Sequence, residues 1–276
     1  MSLVIESGQT WALVTGATGG LGQEFCKLLA ARGYSLIITG RDSAKLARLC
    51  QTVPKVRLAF AGDLTDERSI RNLVARLKKL NIVPEVLVNN AGFGHYGMTL
   101  ATESEESLRM IDLNVRVLTE LTLEFARQMQ QAQKGYILNV ASIASFMPCP
   151  KLNVYAATKA YVLSFSEALH DELESSGVTV TALCPGPVKT DFWARAGVTE
   201  MESFNFTVMD SRKVAEYGLK ALFAKRAVAT CGFTNKMLTV AAQLAPRFLT
   251  RMVSRAMLDQ LNRPPKKEDK KPEQSA

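Results

Sequence analysis

The chain has 276 residues, 47% of them apolar and 22% charged, with a formal net charge of +8; this is the composition of a globular protein with a sizeable core. No apolar run reaches the roughly 18 residues that a membrane span needs, and MSLVIESGQT at the start lacks the basic and apolar regions of a secretory signal, so the expected location is the cytoplasm. The positive charge carries no stripe of interleaved aromatics, which argues against nucleic acid as a partner, and five widely spaced cysteines (Cys26, Cys50, Cys149, Cys184, Cys231) match no zinc or redox motif and read as small buried hydrophobes, with no metal expected.

Along the chain, short apolar runs rich in β-branched residues alternate with longer stretches of helical period. WALVT, YSLIIT, VRLAF, EVLVNN, GYILNVAS, VTVTALCP and AVATC read as strands. Between them lie LGQEFCKLLAARG, SAKLARLCQ, ERSIRNLVARLKKL, a long helix from about Glu103 to Gln133, and NVYAATKAYVLSFSEALHDELESSG. The alternation predicts an α/β fold: a doubly wound, mainly parallel sheet of about seven strands with helices on both faces. No linker divides the pattern, so residues 1–262 are expected to form one domain of the doubly wound (Rossmann) type. After Pro187 it loosens into DFWARAGVTEMESFNFTVMD, with Phe192, Trp193, Phe204 and Phe206, which suits a lid at about 190–210.

A C-terminal helical segment is expected at about 236–262. Leu238, Ala241, Leu244, Phe248, Met252 and Ala256 recur at helical spacing, Arg247, Arg251 and Arg255 form a basic row, and Pro246 interrupts or starts a helix. Three homes are open to such a segment: peripheral contact with a membrane surface, a cover over the substrate pocket, or a partner subunit. Packing on its own protein is the commonest outcome. Residues 263–276 hold four lysines, three prolines and no large apolar group, and are expected to be a disordered tail.

TGATGGLG, residues 15–22, sits between the first strand and the first helix. That is the carboxyl edge of the sheet, where open α/β folds bind ligands. Gly16 permits a tight turn, Gly20 lets backbone approach a bound group, Gly22 allows close packing, and the helix N-terminus offers N–H donors to a pyrophosphate. Tyr155 and Lys159 lie four apart in a helix and so share a face. An ammonium beside the phenol is expected to lower its pKa; a shift of roughly three units requires about 4 kcal/mol. Ser142 ends the NVAS strand at the same edge, placed to polarise a carbonyl. The second strand ends IITGRD: Thr39 and Gly40 stand where an acid would select NAD, and Arg41 can hold the 2′-phosphate of NADP.

Seven motifs in order, TGATGGLG, GDL (62–64), NNAG (89–92), DLNV (112–115), NVAS (139–142), YAATK (155–159) and CPGPVKT (184–190), resemble the classical short-chain dehydrogenases/reductases over about residues 8 to 235. The resemblance implies that Tyr155 moves the proton, Ser142 orients the carbonyl, Lys159 lowers the tyrosine pKa and binds ribose, and Asn114 holds a relay water. It implies a cofactor site built from Gly16, Thr18, Gly20, Leu21, Gly22, Arg41, Asp63, Leu64, Asn90, Ala91, Gly92, Tyr155, Lys159, Pro185, Gly186, Val188 and Thr190. Asp63 would meet adenine, Asn90–Gly92 the ribose side and Thr190 the nicotinamide carboxamide. Thr18 stands where many NADP enzymes of the family carry a second basic residue, and Asp42 adjoins the phosphate site.

The expected function is NADP(H)-dependent interconversion of a ketone and a secondary alcohol, with NAD(H) the lesser choice. The aromatic lid points to a hydrophobic small molecule such as an oxoacyl thioester, a steroid-like or another lipid carbonyl, and the family to a homodimer or homotetramer. The competing reading is a non-catalytic NADP-binding sensor or interaction protein, which has no need of Ser142, Tyr155 and Lys159 together. His170 reads as an ordinary helix residue and His95 as a loop polar near the pocket mouth.

Overall fold

The structure, a computed structural model, describes residues 8–198 and 208–259. The expected tail, 263–276, and the middle of the expected lid with Phe204 and Phe206 lie outside the described residues. All seven anticipated strands are present: β1 Trp11–Val14, β2 Ser35–Gly40, β3 Val56–Ala61, β4 Val86–Asn89, β5 Gly135–Val140, β6 Val178–Cys184 and β7 Val228–Thr230. They form one wholly parallel sheet in the order β3-β2-β1-β4-β5-β6-β7. The order reverses between β1 and β4, so the crevice above their carboxyl ends is the switch point where such sheets bind ligands.

Alternation along each strand feeds two layers. Ala12 and Val14 of β1 face α1 (Gly20–Ala31), α2 (Ser43–Thr52) and α8 (Ser211–Phe223) through Phe25, Leu29, Leu46, Leu219 and Leu222. Trp11 and Leu13 face α3 (Glu67–Lys79), α5 (Leu118–Gln131) and α6 (Asn153–Leu173) through Ile70, Leu73, Leu121, Phe125 and Leu169. With both faces covered, β1, β4 and β6 are buried throughout, hence their unbroken apolar runs.

Three departures from the sequence pattern have local causes. The expected helix from Glu103 to Gln133 is α4 (Ser104–Ile111), a π-helical turn (Asp112–Val117) and α5 in succession. The widened turn sits where the buried Asn114 is drawn to Phe93 by two backbone hydrogen bonds. Past the short helix α7 (Phe192–Arg195), helix α8, which the apolar pattern did not reveal, starts from Asp210, whose side chain accepts from the Arg212 and Lys213 N–H groups, and lets β7 run parallel to β6. At the C-terminus, α9 (Phe233–Leu244) and α10 (Arg247–Leu258) meet at Pro246, as its geometry required. Their expected packing stripe is reversed: Leu244, Phe248 and Met252 point outward, and the buried positions are Asn235, Thr239, Thr250, Ser254 and Leu258.

Cys26, Cys149, Cys184 and Cys231 are buried and Cys50 is exposed, all five as free thiols. Burial pushes Cys26 and Cys184 up to about 12 and Cys149 to about 11. Since the thiolate is the reactive form, a disulfide reagent at neutral pH should modify Cys50 alone in the native protein and all five thiols after denaturation. Fast release of several equivalents from the native protein would contradict this burial.

Candidate active site

The loops after β1, β2, β4, β5 and β6 converge on one cleft. Gly16 takes a left-handed backbone (φ +60°), and a Cβ there would lie 2.8 Å from Ala91 Cα; only glycine lets the β1 loop pass so close to the β4 loop. Thr15 Oγ1 accepts hydrogen bonds from the Asn90 and Ala91 N–H groups, and Asn90 Nδ2 donates to the Thr15 and Gly16 carbonyls, all at 3.0 Å. Four bonds thus join the two loops. A Cβ on Gly22 would stand 2.3 Å from the Gly16 carbonyl oxygen, so the glycine is what seats the first turn of α1 against the loop. That helix has no side-chain cap and no acid in its first turn, which leaves its N–H donors to an anion.

At the β2 end, Gly40 and Arg41 border the cleft beside Thr18 and Asp63. Asp42 turns away: its carboxylate caps α2 by accepting from Lys45 N at 2.9 Å, so it does not oppose a phosphate beside Arg41. Asp63 holds the Thr65 N–H and hydroxyl with one oxygen and Arg109 with the other at 3.3 Å. Burial would raise this carboxyl, but those hydrogen bonds and the charges of Arg41 and Arg109 hold it below its ordinary value. Among the described residues, Thr39 Oγ1 is one of two buried side-chain atoms without a hydrogen-bond partner, and Thr39 borders the cleft beside Gly40.

At the other end, Ser142 and Tyr155 line the cleft and Lys159 lies behind them. Helix α6 is fixed there by a buried chain: Asn89 Nδ2 donates to Thr122 Oγ1 and Asn139 Oδ1, and Asn139 Nδ2 donates to Ser166 Oγ on α6, each at 2.9 Å. Lys159 Nζ donates to the Val140 carbonyl at 2.7 Å and sits 5.7 Å from the centre of the Tyr155 ring. Asn114 donates to Thr158 Oγ1 at 3.1 Å as well as binding Phe93, so it braces the site from behind the cleft.

The expected lowering of the tyrosine pKa does not appear. Burial pushes the Tyr155 phenol up to about 12, opposed only by a hydrogen bond with Ser142. Desolvation brings the Lys159 ammonium down to about 8. The lysine's bond to a carbonyl leaves its charge beside the ring rather than bonded to the phenol oxygen, so burial prevails in the protein alone.

Of the cofactor positions named from the sequence, all but Lys159 line this single cleft; of the catalytic four, Asn114 and Lys159 stand behind it. The sequence pattern did not single out Thr15, which ties the two loops together, or Met147, Leu152 and Met257, which join Phe192, Trp193 and Leu238 at the apolar end of the cleft. His95 is not among the lining residues and pairs with Glu106 at 3.0 Å; His170 meets the Val180 carbonyl at 2.7 Å. No cluster able to hold a metal ion occurs among the described residues.

The model of the short chain dehydrogenase family matches residues 10–200, and the chain belongs to that family. Within it, a probable NADP-dependent dehydrogenase of Haemophilus influenzae is 34% identical over 210 residues, covering 75% of this chain and 80% of that one. The very-long-chain 3-oxoacyl-CoA reductase of Bos taurus is 34% identical over 188 residues, 65% of this chain and 60% of that one. A short-chain dehydrogenase from Sphingobium yanoikuyae, solved in complex with NADPH, superposes with a TM-score of 0.75 at 31% identity over 85% of this chain and 94% of its own. The chain spans 33% of the length of the probable oxidoreductases of Mycobacterium tuberculosis and Mycobacterium bovis that it matches at 29% identity.

A buried lysine has a stability signature. Because its folded pKa lies near 8 and its unfolded value near 10.5, the unfolded chain binds more protons between those limits, and this group makes stability rise with pH there. Below about pH 8 the full cost of burying the ammonium is present. Lys159→Met is therefore expected to be more stable than the parent at pH 7 by roughly 1–3 kcal/mol, with the gain shrinking as the pH rises toward 10.5. Urea unfolding of both proteins across that range measures it; a variant less stable at pH 7 would show that the Val140 bond outweighs desolvation.

Proposed function

We propose that the protein is an NADP(H)-dependent oxidoreductase that interconverts a ketone and a secondary alcohol on a hydrophobic substrate. The observation that carries this reading is the cleft itself: an anion cradle with an arginine at one end, and a buried tyrosine and a serine on the same wall with a lysine behind them at the other. The cradle where Cβ atoms would collide, the uncapped α1 terminus and the unpartnered Thr39 hydroxyl fit a dinucleotide. Arg41, with Asp42 withdrawn into a helix cap, favours one that bears a 2′-phosphate. Gly16, Thr18, Gly20, Leu21 and Gly22 would hold its pyrophosphate side, Asp63 and Leu64 the adenine end, Asn90, Ala91 and Gly92 the ribose side, and Pro185, Gly186, Val188 and Thr190 the nicotinamide end. The neighbour solved in complex with NADPH agrees with this choice, and the relative named as a very-long-chain 3-oxoacyl-CoA reductase agrees with a hydrophobic carbonyl substrate.

When bound, the nicotinamide supplies or accepts the hydride and, oxidised, brings a positive charge to the site. In the reducing direction the Ser142 hydroxyl donates to the substrate carbonyl, and the Tyr155 phenol gives its proton to that oxygen as negative charge develops there. A phenol near 12 is protonated at neutral pH, the state that a proton donor needs. The Lys159 ammonium steadies the phenolate left behind, and Asn114 keeps the Gly92–Phe93 loop segment of the wall in place through its bonds to the Phe93 backbone. Phe192, packed 5.5 Å from both the Tyr155 and Trp193 rings, and Leu238 and Met257 from the C-terminal helices make the substrate end apolar. These two lid aromatics are placed to keep water from the reaction. For assembly as a homodimer or homotetramer, the exposed Leu108, Ile111 and Tyr161 on α4 and α6 offer an apolar surface away from the cleft.

Turnover of NADPH with a panel of acyl, steroid, quinone and sugar ketones tests the reading. Tyr155→Phe is expected to lose ~10²–10⁴ in kcat with cofactor affinity almost intact, because the proton is needed only in the transition state. A variant that keeps more than about a tenth of the rate would remove the tyrosine from the chemistry. A non-catalytic binder would turn over none of the panel.

The cofactor choice has a separate lever. Arg41→Ala should weaken NADPH binding on the order of 10- to 100-fold, the worth of hydrogen bonds to a charged group, and leave NADH unchanged. Fluorescence titration with both reduced cofactors decides it. Equal loss of both would make Arg41 a surface charge and leave the preference without a basis.

A further inference from the structure

Helices α9 and α10 are amphipathic in the inverted sense. Their inward positions are occupied by Asn235 and Thr239 and by Thr250, Ser254 and Leu258. The hydroxyls of Thr250 and Ser254 are satisfied by carbonyls at Arg247, Arg251 and Pro148. The large apolar side chains stand on the opposite side: Phe233 (82% exposed), Met237, Val240 and Leu244 (82%) along α9, and Phe248 (62%), Leu249, Met252 (62%) and Val253 along α10. Their helical spacing makes two continuous stripes facing water. A surface of this kind on a folded domain marks a binding face.

Charge identifies the occupant. Between Phe233 and Leu258 the sequence has Lys236, Arg247, Arg251 and Arg255 and no acid. The three arginines recur every fourth residue, so they run along one flank of the α10 stripe. Arg255 is paired with Asp259 at 3.8 Å, but a second copy of the chain seated on this face would still set Lys236, Arg247 and Arg251 against their own like. An acidic bilayer offers what both features need, acyl chains lying directly beneath anionic headgroups. No described helix is long and apolar enough to cross a membrane, so contact would be at the surface.

We propose that the outward face of α9 and α10 docks on an anionic lipid bilayer. The proposal is independent of the reductase reading, because the side chains that border the cleft from these helices, Leu238, Ser254, Met257 and Leu258, are different ones. Docking sets the substrate end of the cleft about one helix diameter, roughly 10 Å, from the lipid. An apolar carbonyl dissolved in the bilayer would then have a short path to Tyr155.

The test is flotation of the full-length protein with vesicles of phosphatidylcholine alone and of phosphatidylcholine mixed with phosphatidylglycerol. The protein should float with the mixed vesicles, remain behind with the neutral ones, and be released by added salt. The triple variant Leu244→Gln, Phe248→Gln, Met252→Gln should bind at least tenfold more weakly. Arg247→Gln with Arg251→Gln should bind ~30-fold more weakly, since each basic side chain near an anionic surface contributes roughly fivefold. Melting temperatures of the variants confirm that they fold, all five positions being exposed. Failure of the full chain to float with mixed vesicles, or unchanged flotation of the triple variant, overturns the proposal. An oligomer that falls apart in the triple variant while neither protein binds vesicles assigns the face to a second copy and overturns it equally.

Discussion

Where β1 and β4 part at the carboxyl edge of the sheet, two loops must approach to van der Waals distance and stay there, and the Thr15–Asn90 lock is what holds them. One threonine oxygen serves two backbone N–H groups, and one asparagine amide returns to two carbonyls. The rest of the cleft is hung on this seam. On one side it sets the height of the glycine turn and, through Gly22, of α1. On the other it sets Gly92, where a Cβ would meet Asn114 Oδ1 at 2.9 Å and Lys159 Nζ at 3.5 Å, so the wall passing the lysine also begins at the lock. The two ends of the cleft are therefore not independent.

That lock allows the protein to keep a costly arrangement. A lysine and a tyrosine, both buried, sit on one face of α6 without an acid between them, each shifted by desolvation toward its neutral form. Burial of this kind persists only where the surroundings determine it, and here the Asn89–Asn139–Ser166 chain beneath and the Ser145 bond to the Lys159 carbonyl do so. Local stability is lowered by burying these two titratable groups.

The strands were legible because both faces of a parallel sheet are covered, so burial wrote itself as unbroken apolar runs. The cleft was legible because its parts stand at strand ends in fixed order, and every cofactor position except Lys159 falls on its lining. What failed to read was whatever depends on contacts distant in sequence. Thr15 looked like one letter of a glycine motif, while its partners lie more than seventy residues away. Met147 and Met257 carry no pattern that would place them on one wall. The Tyr155 shift went against expectation because spacing places a lysine beside a phenol but says nothing of the solvent that both have lost. The C-terminal stripe was seen, but periodicity cannot tell which side of a helix is covered.

The π-helical turn at Asp112–Val117 also bears on chain length. In an uninterrupted α-helix Met110, Leu121 and Phe125 would fall on a single face. Here Met110 packs with Cys149, Leu152 and Tyr155 beside the cleft, while Leu121 and Phe125 pack beneath the sheet. The wider turn holds one residue more than an α-turn and so rotates α4 relative to α5 by roughly 100°. The number of residues between Ile111 and Leu118 is thereby fixed as strictly as their identity. Loss of one would straighten the helix, swing α4 off the cleft wall and leave the sheet packing of α5 untouched, a lesion of the site that spares the fold.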